Sequence, residues 1–153
     1  MIPYRLFPTT PELTDALALM RASFAFMDGR IDPPSSINRL TVAQLQDQAS
    51  RGEIWALGDP LSACVVLTPR RDSLYLGKLA VDQDHRGRGF AHQLVDHVAH
   101  RAAAHNCGFL ELEVRVELTE NQAAFAHMGF VEVARSSHPG FTKPTSVTMR
   151  RAV

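Results

Sequence analysis

The sequence predicts a mixed α/β fold: a single-layer central sheet, mostly antiparallel, flanked by helices and containing one parallel strand pair. Three observations carry this prediction. Helical periodicity occupies the first third of the chain; three short apolar runs then follow one another at turn-length spacing; and a long amphipathic helix precedes a strictly alternating strand. Runs that close together pair antiparallel, whereas a helix between two strands is the crossover that a parallel pair requires.

Taken in order, Tyr4 to Pro8 reads as a short first strand. Thr10-Pro11-Glu12 reads as a helix start, with Thr10 as cap, Pro11 in the first turn and Glu12 at the positive dipole end. Leu13, Leu17, Met20 and Phe24 give that helix an apolar stripe, and Gly29 and Pro33-Pro34-Ser35-Ser36 end it. Thr41 caps a second helix carrying Val42, Leu45 and Ala49, stopped by Gly52. Ile54–Leu57, Ala63–Leu67 and Leu74–Val81 are the three apolar runs. Phe90 to His105 is the clearest helix, with Ala91, Leu94, Val95, Val98, Ala99 and Ala102 on one face. Beyond Gly108, Leu110, Leu112, Val114 and Val116 alternate with Glu111, Glu113, Arg115 and Glu117, as in a strand with two unlike faces. A short helix from Asn121 to Met128 ends at Gly129, and Phe130–Arg135 and Ser146–Arg150 close the sheet.

The 153 residues suit one domain, 1–153, with a core large enough to stand without staples. Sixteen basic residues balance sixteen acidic ones, which argues against a dedicated nucleic-acid or anionic-membrane binder. No apolar stretch is long enough for a signal peptide core or a membrane span. Two cysteines, Cys64 and Cys107, make neither a disulfide framework nor a four-ligand zinc site, and they suit a reducing, cytoplasmic setting.

The chemistry concentrates between Val81 and Ala91. There a strand ends, a loop bearing Gly87 and Gly89 follows, and a helix begins. Glycines let ligand oxygens approach backbone N–H groups, a helix start presents unpaired donors at its positive end, and Arg86 and Arg88 add fork-shaped cations. The loop suits a pyrophosphate, although the same residues also fit an ordinary turn with solvated arginines. A Walker loop is excluded because no Gly-Lys-Ser/Thr is present, and a dinucleotide fingerprint is excluded because the third glycine is His92.

Arg86-x-x-Gly89-x-Ala91, directly after that strand, resembles the acyl-CoA loop [Q/R]-x-x-G-x-[G/A] of the GNAT acetyltransferase family. Leu112-Glu113-Val114-Arg115 followed by Phe125-Ala-His-Met-Gly129-Phe130 resembles the family's LEVR…Y-x-x-x-G-F segment. The two matches stand in the family's order and cover roughly the last half of the chain, with an N-terminal helix pair that also fits. The resemblance implies an acyl-CoA N-acyltransferase-like fold and acetyl-CoA as co-substrate; the residues themselves call for no metal. It further implies direct acetyl transfer to a primary amine in a ternary complex. Coenzyme contacts are then expected from Leu79, Ala80 and Val81 at the strand end, from Arg86, Gly87, Arg88, Gly89, Phe90 and Ala91 in the loop, and from Asn121 and Phe125.

An amine acceptor must lose a proton before it can attack, since a lysine-like ammonium has a pKa of ~10.4. Glu113, at the Glu of the LEVR segment, is the candidate base, with Glu111 as runner-up; both also fit an ion-paired strand face. The family's thiolate-protonating Tyr falls on Phe125, which carries no proton, and the family's Asn falls on Leu118, with Asn121 about one helical turn further on. The departure at Phe125 keeps a second reading open, a non-catalytic acyl-CoA sensor or scaffold. His92, Asp96 and His100 share a helix face but read as solvated. Phe24, Phe26, Trp55 and Tyr75, and the loops Met27–Ser36 and His138–Pro144, are the places to seek acceptor contacts. The acceptor is expected to be a small-molecule or protein amine, and a homodimer is compatible with everything above.

Overall fold

The computed structural model describes residues 1–153 and builds one seven-stranded sheet. Its strands are β1 (Tyr4–Leu6), β2 (Glu53–Leu57), β3 (Ala63–Pro69), β4 (Ser73–Val81), β5 (Phe109–Arg115), β6 (Val131–Ser136) and β7 (Ser146–Ala152). They lie in the order β1-β2-β3-β4-β5-β7-β6, and every pair is antiparallel except β4–β5. The helices are α1 (Leu13–Phe24), α2 (Val42–Arg51), α3 (Phe90–Ala104) and α4 (Thr119–His127). The crossover between the parallel strands is α3, as the periodicity predicts.

Each face of the sheet has its own core. Ile54, Ala56, Cys64, Val66 and Ala80 pack against Leu13, Leu17 and Met20 of α1 and Leu45 and Ala49 of α2. On the opposite face Leu57, Val65, Leu67, Leu74, Leu76, Leu110 and Leu112 pack against Phe90, Leu94, Val95, Val98 and Ala102 of α3. The alternation of side chains along a strand makes this division possible.

Two N-terminal helix starts differ in how they are made. Thr41 caps α2 through a reciprocal capping box with Gln44, as expected. Thr10 does not cap α1. Its hydroxyl accepts the Phe7 N–H within a turn, and the helix starts later, at Leu13 with Glu12 in the N-cap position. Gly52, between α2 and β2, is required by a close approach, since a Cβ there would run into the Leu67 carbonyl oxygen. At the other end of the chain Phe130 is buried in the core with α3 rather than opening β6.

β4 changes face partway along. Cys64 is opposite Ala80 but Val66 is opposite Gly77, so β4 carries one residue more than β3 over this stretch. The extra residue produces a bulge beside Lys78, whose φ of 53° lies in the left-handed region. Because the side-chain period is two, the bulge reverses parity: Leu74 and Leu76 point to α3, whereas Ala80 points to α1.

Candidate active site

The bulge coincides with a split in the sheet. The parallel ladder joins only Ser73–Tyr75 to Phe109–Glu111, yet β4 runs on to Val81 and β5 to Arg115. Past this point the two strands separate. A cavity of about 330 Å³ opens between them, with Gly77, Lys78 and Leu79 on one wall and Leu112, Glu113 and Val114 on the other. At the far end of β4, Asp82 N–H donates to Ser62 O on the β3 side. Polar groups alternate along a strand, so the peptide groups of Val81 face away from β3, and the Val81 carbonyl accepts Ser23 Oγ at 3.0 Å.

After Val81 comes one 3₁₀ turn, Gln83–His85, and then the glycine loop. Gly87 has φ 77° and Gly89, the N-cap of α3, has φ 80°, so both occupy backbone that L side chains avoid. A Cβ at either would meet no protein atom within 4 Å, so both glycines face open space. None of the backbone N–H groups from Gly87 to His92 donates to a protein acceptor; the first amide of α3 to find one is Gln93, which bonds Gly89 O at 2.9 Å. Arg86 reaches back over the Phe26 ring at 5.8 Å and to Ser23 O, while Arg88 is exposed. His85 stacks on Phe90 and donates from Nδ1 to the Asp82 carboxylate at 2.8 Å, bracing the turn. A row of free donors on a helix N-terminus, flanked by two guanidinium groups, fits a pyrophosphate.

The structure separates the two carboxylates that the sequence could not. Glu111 is buried at 8% exposure, clamped by Arg70 Nη1 at 2.7 Å and Arg150 Nε at 2.8 Å, and lies outside the cavity. Glu113 is exposed to the cavity and has no ion-pair partner. Tyr75 stands near it; burial, and then the Glu113 charge, push its phenol up to about 12. Phe125 also lines the cavity and packs edge-on against Phe130 at 5.8 Å. Asn121 and Leu118 border the same space.

Of the expected acceptor contacts, Phe24, Tyr75, Met27, Ser35, Ser36 and His138 line the cavity. Trp55 and Phe26 do not. Trp55 lies under α3, edge-on to His97 at 4.1 Å, and its indole N–H donates to Glu53 at 2.7 Å. Phe26 is a surface platform for Arg30 and Arg86. The Met27–Ser36 loop is strapped to β5 and its continuation. Arg115 donates to the carbonyls of Pro33 at 2.7 Å and Pro34 at 3.4 Å, Asp32 N–H donates to Glu117 at 3.0 Å, and Arg30 pairs with Glu120. Sequence reasoning did not single out Lys78, Ser23 or Arg115 for this site. For Lys78 the clue was present, since it interrupts the apolar run Leu74–Val81.

His92, Asp96 and His100 lie on the exposed face of α3, where His92 is 3.5 Å from Asp96 and Asp96 also meets Arg151 at 3.8 Å. Burial pushes the Cys64 thiol up to about 12, which leaves it inert in the core.

A splayed parallel strand pair leading to a glycine loop on a helix start defines an acyltransferase architecture, and sequence comparison agrees. The family model described as "Acetyltransferase (GNAT) family" matches residues 17–130, and the chain belongs to that family of acetyltransferases. No curated protein matches the chain. Among solved structures it resembles Ard1 from Thermoplasma volcanium (TM-score 0.77, 17% identity, 99% of this chain and 97% of that one). It also resembles a GNAT family acetyltransferase from Elizabethkingia anophelis with acetyl-CoA bound (0.69, 14%, 99% and 97%). A third is the ribosomal-protein-S18-alanine N-acetyltransferase from Escherichia coli (0.69, 19%, 99% and 94%). At these identities the likeness is one of fold. No helix is long and apolar enough to cross a membrane.

Proposed function

We propose that residues 1–153 act as one catalytic domain that moves an acetyl group from acetyl-CoA to a primary amine by direct transfer in a ternary complex. The observation that carries this reading is the row of unbonded amides from Gly87 to His92 at the end of a split sheet. Those amides, with Arg86 and Arg88, would hold the coenzyme's pyrophosphate. Leu79, Ala80 and Val81 would present backbone to the pantetheine arm, and Asn121 and Phe125 would form the opposite wall. The acceptor would enter from the side closed by the Met27–Ser36 loop.

Glu113 would take the acceptor's proton through a water. The amine nitrogen then bonds the thioester carbon, the carbon–sulfur bond breaks, and the products are an amide and a thiol. Phe125 holds no proton, so the departing thiolate, with a thiol pKa of ~8.5, takes one from the new ammonium or from solvent. The two free, buried cysteines fit a reducing cytoplasm.

Titration calorimetry with acetyl-CoA tests the coenzyme site. The wild type should bind, and Gly89→Glu should not, because a carboxylate would stand where the phosphates must sit and the left-handed backbone disfavours any side chain. Equal affinities in the two proteins would remove the reading. Thiol release across an amine panel separates a transferase from a sensor, which would bind acetyl-CoA and release nothing above background.

A further inference from the structure

The cavity holds an uncompensated cation. Lys78 rises from the bulge of β4 and forms part of the wall opposite Glu113. It also borders a second, polar groove between α2 and the turn at Ser36–Arg39, so its side chain lies where the acceptor end of the cavity meets the surface. Its only hydrogen-bond partner is neutral: Nζ donates to Gln48 Oε1 at 3.3 Å. No carboxylate lies within ion-pair distance of it, although Asp47 is in the same groove, paired with Arg51. Burial lowers the Lys78 pKa, as it must when an ammonium is partly dehydrated without a counter-charge. Its backbone is strained as well, since φ 53° suits glycine or asparagine far better than lysine. A lysine kept at a strained, half-buried bulge with no anion beside it needs a reason that packing does not supply.

We propose that the acceptor is an amine that also bears an anionic group, a carboxylate or a phosphate-type group, which pairs with the Lys78 ammonium while the amine faces Glu113. The inference rests on the acetyltransferase reading above and names its substrate class. Glu113 and Lys78, on opposite walls, would orient such a molecule: each end meets its opposite charge, and the reverse orientation sets like against like. A diamine would place a cation beside Lys78 and be rejected for the same reason.

The test is thiol release from saturating acetyl-CoA with four matched acceptors: butylamine, 1,4-diaminobutane, 4-aminobutyrate and 3-aminopropylphosphonate. The two anionic amines should exceed butylamine in kcat/KM by ~10-fold or more, the scale of one charge-assisted contact, with the diamine poorest. Whichever anionic amine leads identifies carboxylate or phosphate as the group recognised. Lys78→Gly, which suits the bulge backbone, should collapse the anionic-to-neutral ratio to about one, chiefly through KM, and Lys78→Arg should restore part of it. Butylamine or the diamine used as well as the anionic amines would overturn the inference and leave the transferase reading intact, as would a preference that survives in Lys78→Gly. Normal acetyl-CoA binding with no thiol release from any acceptor would instead overturn the transferase reading, and the inference with it.

Discussion

Three glutamates show how environment divides one residue type into different roles. Glu53, at 3% exposure, is bonded by Arg101 at 2.8 and 2.6 Å, His105 at 2.6 Å and Trp55 at 2.7 Å, and so holds α3 to β2. Glu111 ties the β5 backbone region to Arg70 and Arg150. Glu113, two residues further along the same strand, has no such partner and faces the cavity. Only the last has a carboxylate that no cation holds. Glu113→Gln should therefore lower kcat/KM by ~10²-fold while acetyl-CoA affinity is unchanged. Steady-state kinetics and calorimetry on the same preparation check both halves, and a fully active variant would return Glu113 to the role of a surface charge. The sequence places Glu111 and Glu113 on one face and goes no further, because what distinguishes them is that Glu111 alone finds counter-ions, in Arg70 and Arg150, 41 and 39 residues away.

Among the elements, the α1–α2 connection is fastened to the end of β5 by one arginine in particular. Arg115, at the end of β5, makes two hydrogen bonds to proline carbonyls 82 and 81 residues earlier and so fixes the height of the loop over the cavity. Arg115→Met keeps the stem of the side chain and removes the donors. The acceptor KM should rise by ~10-fold, as expected for losing contacts of ~1.5–3 kcal/mol to a charged group, with kcat changed little. An unchanged KM would show that the Asp32–Glu117 and Arg30–Glu120 contacts hold the loop by themselves. The alternation of β5 is plain in the sequence. Its parting from β4 after Glu111 is not, because the split falls beside the bulge at Lys78, which no local propensity predicts.

For the molecule as a whole, the Glu53 cluster sets an acid limit. Burial raises the Glu53 pKa, but hydrogen bonds from Arg101, Trp55 and His105 outweigh it and bring it to about 2, below the ordinary 4.5. A carboxyl held below its unfolded value stabilises the fold fully above about 4.5. As pH falls from there towards about 2 the unfolded chain takes up the proton first, and the contribution is lost. Urea midpoints should therefore fall between pH 5 and pH 3 in the wild type, with a visibly flatter profile in Glu53→Gln. At neutral pH that variant should be less stable by about 2–3 kcal/mol, since it leaves Arg101 without its charge partner. Parallel profiles for the two proteins would show that other carboxylates dominate the acid limit.

The sequence alone determined the element order, the antiparallel and parallel character of the pairs, the glycine loop on a helix start, and through two motifs the family. These are local properties: periodicity, capping chemistry and turn residues act over a few positions, and a motif is contiguous by definition. Only the tertiary structure decided which glutamate faces the cavity, that Trp55 and Phe26 lie away from it, and that an unpaired lysine stands within it. Each of those outcomes depends on partners that folding brings together from distant parts of the chain, and the place of Lys78 depends as well on one extra residue in β4 that reverses which way the later side chains of that strand point.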